Sequence, residues 1–381
     1  MAVDYYKRLY SMEDVNQVVE KLPSAGFVRI SESEKRDLNK PFLATEIEAA
    51  VQSMGRYKAP GPDGFQHVFY QQCWEIVGSS VVRFVSEFFE SGSLPIETND
   101  ALLVLIAKVT KPESITQFRP ISLCNVLFKI ITKAMVTRLK GLMPKLIGQA
   151  HASFIPGRLS NDNIIVVQEV VHSMRRKKGD RIRRDFLEYT LIAAGLPGKW
   201  VRWIMQCVTG PSMNVLWNGE KTEAFKPARG LRQGDLLSPY LFVMCLERLC
   251  HQIEFSVVSK RWKPISLSRR GPKLSHICFA DDLILFAEAS VGQILIIRGV
   301  LERFCVASGQ KVSLEKSKIF FSNNVHRDLR EQISAESGIK ATTELGKYLG
   351  MPILQKRINK DTFAEIIERL SSRLAGWKGR F

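Results

Sequence analysis

The chain has 381 residues, with 55 Lys and Arg against 38 Asp and Glu, a formal net charge of +17. Hydrophobic residues make up 45%, with 25 Gly and 16 Pro, a mix that excludes disordered, collagen-like and low-complexity classes. No apolar run reaches the ~18–20 residues that cross a bilayer and the first eight residues carry no apolar signal core, so an intracellular protein of nucleus or cytoplasm is expected, not secreted and with no membrane partner.

Residues 1–40 read as a charged helical extension. An acidic helix over 44–54 ends near Gly55. The following Lys58-Ala59-Pro60-Gly61-Pro62-Asp63-Gly64 alternates residues that fix φ with residues that free it, which predicts a rigid turn loop. Helical spacing returns over 65–89. Residues 102–109 predict a buried strand and 119–123 a short extended segment. From Asn125, the apolar Leu127, Ile130, Ile131, Ala134, Met135, Leu139 and Leu142 predict a helix with one buried face, leaving Lys129, Lys133, Arg138 and Lys140 off it. A loop over 153–158 and a helix over 161–174 come next. The densest basic run spans 172–184 and reads as a solvated loop. Residues 186–209 read as helix, and 214–218 as a strand entering a turn at Gly219-Glu220. Seven Cys, without a secretory signal, predict reduced thiols.

The charge makes a polyanion partner plausible, because Lys and Arg on phosphates release condensed counterions. Two segments could hold chemistry. Ile277-Cys278-Phe279-Ala280-Asp281-Asp282-Leu283-Ile284-Leu285-Phe286 reads as a hairpin with adjacent carboxylates at its tip. Such a pair is a common solvated turn, or else a site for a hard divalent cation that retains positions for water and phosphate. Residues 230–239, Gly-Leu-Arg-Gln-Gly-Asp-Leu-Leu-Ser-Pro, lead into an apolar helix. Ser238 suits its N-cap and Pro239 its first position, and the glycines let backbone approach a ligand. No C-x-x-C pair occurs, and His276 and Cys278, on one strand face, read as core.

Seven segments occur in order: 59–65 (APGPDGF), 118–123 (FRPISL), 152–158 (ASFIPGR), 230–239 (GLRQGDLLSP), 279–282 (FADD), 309–318 (GQKVSLEKSK) and 348–352 (YLGMP). On these the chain resembles the reverse transcriptase of plant non-LTR (LINE-type) retrotransposons. The resemblance implies an α+β right-hand polymerase with an antiparallel palm sheet: an N-terminal extension (1–40), fingers (41–165), palm (166–325) and a truncated palm-to-thumb connection (326–381). It implies that Asp281 and Asp282 bind Mg²⁺, with Mn²⁺ as a substitute, as the catalytic pair. It sets Gly230, Arg232, Gln233 and Gly234 beside nucleotide and template, Arg119 and Arg158 toward triphosphate and template, and Lys316 as a proton donor to pyrophosphate. The implied partners are an RNA template, a DNA primer and deoxynucleoside triphosphates.

One departure stands out. The family carries a strand of the form lysine–apolar–Asp–x–x–Lys–Ala–Tyr–Asp, whose first Asp is the third metal ligand. Here Met174-Arg175-Arg176-Lys177-Lys178-Gly179 runs directly into Asp180. The expectation is therefore an internal deletion, a palm sheet short of one strand, and impaired turnover. The alternative is an inactive remnant that only binds nucleic acid. Leu236 also stands where the family has proline, which would loosen the Gln233 loop.

Overall fold

The computed structural model describes residues 2–13, 21–158, 174–176, 182–266, 271, 273–280, 282–343, 347–348, 351–352, 367–368 and 371. The predicted helix from Asn161, most of the basic run, Asp180, Asp281 and nearly all of the chain after 352 lie outside them.

The N-terminal part supplies α1 (Ala2–Leu9), α2 (Glu32–Asn39), α3 (Ala44–Gln52), α4 (His67–Gln72) and α5 (Trp74–Ser91). The extension is thus not continuously helical: residues 21–30 are irregular, and α2 begins only where Ser31 accepts from Glu34 N while Glu34 accepts from Ser31 N, a reciprocal cap. Strands β1 (Ala101–Ala107) and β2 (Phe118–Cys124) pair antiparallel, and α6 (Val126–Leu139) and the one-turn α7 (Met143–Leu146) follow. After β3 (Met174–Arg176) come α8 (Arg184–Ala193) and α9 (Gly198–Thr209), two helices where the periodicity suggested one. The break is Gly195-Leu196-Pro197, with Gly195 at φ +77° and a proline that cannot continue the preceding helix.

Strand β4 (Met213–Trp217) and β5 (Glu220–Lys221) close a tight hairpin over Asn218 and Gly219, both at positive φ, as a primed turn requires. Helix α10 (Ser238–Val258) precedes the short pair β6 (Ile265–Ser266) and β7 (Lys273–Leu274). Then follow β8 (His276–Phe279), β9 (Asp282–Leu285), α11 (Val291–Ser308), β10 (Lys318–Phe320), α12 (Arg327–Ser337) and β11 (Ala341–Thr342).

Two sheets organise the molecule. The first has order β2-β1-β4-β5, with β4 parallel to β1, so it draws strands from both sides of residue 166. Tyr6 and Tyr10 of the N-terminal segment pack on it against Leu103, Val215 and Phe225. The second has order β11-β10-β3-β9-β8. Here the structure corrects an expectation: the place beside β9 is filled. Strand β3 pairs antiparallel with β9 on one side and β10 on the other. Three residues are too few to show a strand period, but the flanking ladders need partners for their N–H and C=O groups.

One continuous core joins the helices to the second sheet. Helix α10 runs through it, buried on several faces: even Glu247 and Arg248 are buried there. Arg138, predicted off the buried stripe of α6, is also drawn in. Its guanidinium bonds both carboxylate oxygens of Glu46 at 3.0 and 2.7 Å, reaches the carbonyls of Leu38, Lys40 and Pro41, and lies 3.7 Å from the Phe42 ring centroid. It ties α3 and the end of α2 to α6. Lys129 is buried as well, with Nζ 3.4 Å from the Ala59 carbonyl. Among the described residues no helix is long and apolar enough to cross a membrane, and all seven cysteines are reduced.

Candidate active site

The hairpin predicted over 277–286 is present. Strands β8 and β9 pair antiparallel, closing on Phe279 opposite Asp282. Ile277, Cys278, Leu283, Ile284 and Leu285 are buried, so apolar flanks hold a two-residue tip. Ala280 sits at φ +50°, a left-handed conformation that an alanine adopts at a cost of order 1 kcal/mol. The surroundings fix it. Ser153 Oγ accepts from Ala280 N at 2.6 Å and is itself 2.9 Å from His151 Nε2. Cys278 N donates to Ala150 O and Ala152 N to Cys278 O. The segment 150–153 therefore clasps the strand that delivers the acidic tip. Asp282 is half-buried at the start of β9.

Arg158 completes the clasp. One terminal nitrogen donates to Gly148 O (2.5 Å) and His151 O (2.6 Å), the other to Ile147 O (2.7 Å) and Pro144 O (3.2 Å). A guanidinium so committed secures its own loop, where the resemblance implied a residue facing triphosphate and template. Arg158→Met is expected to cost about 2–4 kcal/mol in denaturant unfolding, because several carbonyls lose a charged donor together.

Burial depresses His151 to about 3, with the Arg158 and His276 charges adding to it. It is neutral in the folded protein and binds a proton in the unfolded one near pH 6.5. Stability from this group is full above pH 6.5 and falls as pH drops toward 3. Replacing His151 with Asn should flatten the pH dependence of unfolding between pH 7 and 5 by about 1–2 kcal/mol.

The loop at 230–239 folds against β2. Gln233 O accepts from Ser122 N at 2.7 Å. Gly234 has φ +113°, and a Cβ there would stand 2.6 Å from Ser122 O. Gly230 N donates to Ile182 O. The Gln233 side chain is half-buried. Arg232, predicted beside nucleotide and template, turns inward instead. It donates to Asn99 O (2.8 Å) and Cys207 O (3.2 Å), lies 3.5 Å from Asp235, and covers the Phe128 ring at 4.3 Å. The cap of α10 also differs from expectation. Leu237 is the N-cap, and Asp235 Oδ1 accepts from its N–H at 3.0 Å, which puts Pro239 in the first turn.

Two other predicted residues come together. Arg119 is exposed on β2 and Lys316 exposed ahead of β10. Both depress the Lys108 ammonium, after the larger effect of its partial burial. Lys108, at the end of β1, was not singled out in the sequence; its position one residue past an apolar strand was the only signal. Arg119 and Lys316 thus each act on Lys108, and cations gathered in this way suit a polyphosphate.

The donor chemistry of adjacent Asp281 and Asp282 suits a hard divalent cation. Strand β3 runs toward the same end of the sheet, with Arg176 opposite Leu283, next to Asp282. Its described residues are Met174, Arg175 and Arg176, with no carboxylate among them.

The comparisons agree with this architecture. Residues 108–353 match the family described as reverse transcriptase (RNA-dependent DNA polymerase). The chain is 27% identical to the "Transposon TX1 uncharacterized 149 kDa protein" of Xenopus laevis over 99% of its own length and 29% of that protein. It is 27% identical to the retrovirus-related Pol polyprotein from type-2 retrotransposable element R2DM of Drosophila melanogaster, over 71% of this chain and 26% of that one. A segment of 28 residues (7% of this chain, 4% of the relative) is 75% identical to a putative ribonuclease H protein of Arabidopsis thaliana. The chain thus spans under a third of the length of these relatives. With more than half its residues matched, it belongs to the reverse transcriptase family.

Proposed function

We propose that this chain is the polymerase domain of a non-LTR, LINE-type retrotransposon of a plant, adding deoxynucleotides to a DNA primer 3′-OH along an RNA template, and that its turnover is impaired. The first sheet and the helices around it act as fingers and the second sheet as palm. Asp281 and Asp282 hold Mg²⁺, or Mn²⁺ in its place; a bound ion activates the attacking oxygen and steadies the leaving one. The observation that carries the reading is the β8–β9 hairpin, with its acidic tip held by Ser153 and its flank lined by β3. The impairment follows from what β3 brings: arginines at the family's third-carboxylate strand. Two ligands in place of three loosen ion geometry, and a loss of about 3 kcal/mol in transition-state stabilisation slows addition by about 10²-fold. The likeness to the Arabidopsis protein supports the plant origin.

Lys108, Arg119 and Lys316 receive the triphosphate, and Lys316 serves as proton donor to pyrophosphate. Gln233, held by its backbone to β2, meets the template or nucleotide. Lys108→Ala and Arg119→Ala are each expected to raise the KM for deoxynucleotide about tenfold, the worth of one charged hydrogen bond.

Primer extension on homopolymer RNA tests the reading. Slow, template-directed addition with Mg²⁺ or Mn²⁺ supports it. Salt-sensitive RNA binding without any addition would reduce the chain to a binding remnant.

A further inference from the structure

Beneath the acidic hairpin lies a second cluster. His276 and Cys278 occupy alternate positions of β8, so both project from one face. Cys250 approaches that face from α10. A ligand atom from each of the three lies within 4.8 Å of the others, and all three residues are buried. The Cys250 and Cys278 sulfurs are 3.5 Å apart. His276 Nδ1 is 2.9 Å from Ser275 Oγ, while Nε2 is buried without a hydrogen-bond partner among the described residues.

We propose that Cys250, His276 and Cys278 form a site for a soft divalent cation, Zn²⁺ above all, that staples α10 to the hairpin strand. Two thiolates and an imidazole are the donor set zinc prefers, and two sulfurs on a tetrahedral zinc stand ~3.7 Å apart, close to the separation found. An unpartnered ring nitrogen in a dry interior is costly, and a cation gives it a bond. The second ring nitrogen, held by Ser275, fixes the imidazole orientation as an outer partner does in zinc sites. Binding forms two S–Zn bonds and one N–Zn bond, with the fourth position kept by one water of the incoming ion, and releases both thiol protons to solvent. A disulfide accounts for the cluster less well. It would need an oxidant and closure of the sulfurs to ~2.05 Å, and would leave the imidazole nitrogen unpaired.

The site is separate from the Asp281–Asp282 pair, which calls for oxygen-liganded ions. Its role is positional. Helix α10 follows the Gln233 loop and β8 leads into the acidic tip, so the cation would lock two parts of the polymerase site together.

The test is metal analysis of the full chain after dialysis against Zn²⁺. About one zinc per chain is expected in the native protein and in a Cys73→Ser control, falling about tenfold in Cys250→Ser and His276→Ala. Native protein titrated with Co²⁺ should show thiolate-to-metal charge-transfer absorption that Zn²⁺ abolishes, a readout that needs no variant to fold. Thermal unfolding should rise by about 3–5 °C at free Zn²⁺ a hundredfold above Kd. Native protein without stoichiometric zinc, cobalt bound without the charge-transfer band, or zinc retained in both variants would overturn the proposal.

Discussion

Alanine at Asp282 is expected to lower primer extension by a factor of about 10³ or more relative to the native chain, since on the proposed reading each carboxylate of the pair carries several kcal/mol of ion binding. The same holds for Asp281→Ala. The loss of activity should far exceed any loss of unfolding free energy, because the hairpin is held by its apolar flanks and the Ser153 clasp. Single-nucleotide addition and denaturant unfolding on the same preparations separate the two effects. A loss of activity that tracked a loss of stability would assign the pair to folding and not to chemistry.

Gly234→Ala is expected to destabilise the chain by about 3 kcal/mol or more and to abolish extension. The residue combines φ +113° with a Cβ position 2.6 Å from a backbone oxygen of β2, so the new methyl meets both backbone strain and a contact that cannot swing aside. Gly61→Ala should behave alike, since its Cβ would lie 2.4 Å from Asn125 N and Oδ1. Gly157 is the control. It too has positive φ, +78°, but nothing lies within 4 Å of a Cβ there, so Gly157→Ala should cost only about 1 kcal/mol. Equal losses at Gly157 and Gly234 would show that the loop at 230–239 does not press on β2 as described.

Much of this was readable from local pattern. Apolar runs around Ala280 gave the hairpin, alternating Pro and Gly gave the turn at 58–64, and the i, i+3/i+4 spacing gave α6 within a residue of its start. What escaped depends on tertiary neighbours. Lys129 and Arg138 lie off an ideal stripe, yet their long stems let them reach carbonyls across a neighbouring element. Strand β3 has three residues and no alternation of its own; its neighbours' unpaired ladders define it. Arg158 and Arg232 sit in segments that invite a ligand-facing reading, but backbone carbonyls and Phe128 claimed them first. Cys250 stands 26 and 28 residues from His276 and Cys278, a spacing that matches no short metal motif, and only the packing of α10 on β8 brings it near.

The central claim is that a carboxylate absent from the strand beside β9 limits this polymerase. Its most direct test compares single-nucleotide addition by the native chain with that of a chain in which residues 174–179 are replaced by a strand of the family form, lysine–apolar–Asp–x–x–Lys–Ala–Tyr, ahead of Asp180, both checked for cooperative unfolding. The account predicts about 10²-fold faster addition at the same Mg²⁺ concentration in the restored chain. A folded, restored chain no faster than the native one would contradict it.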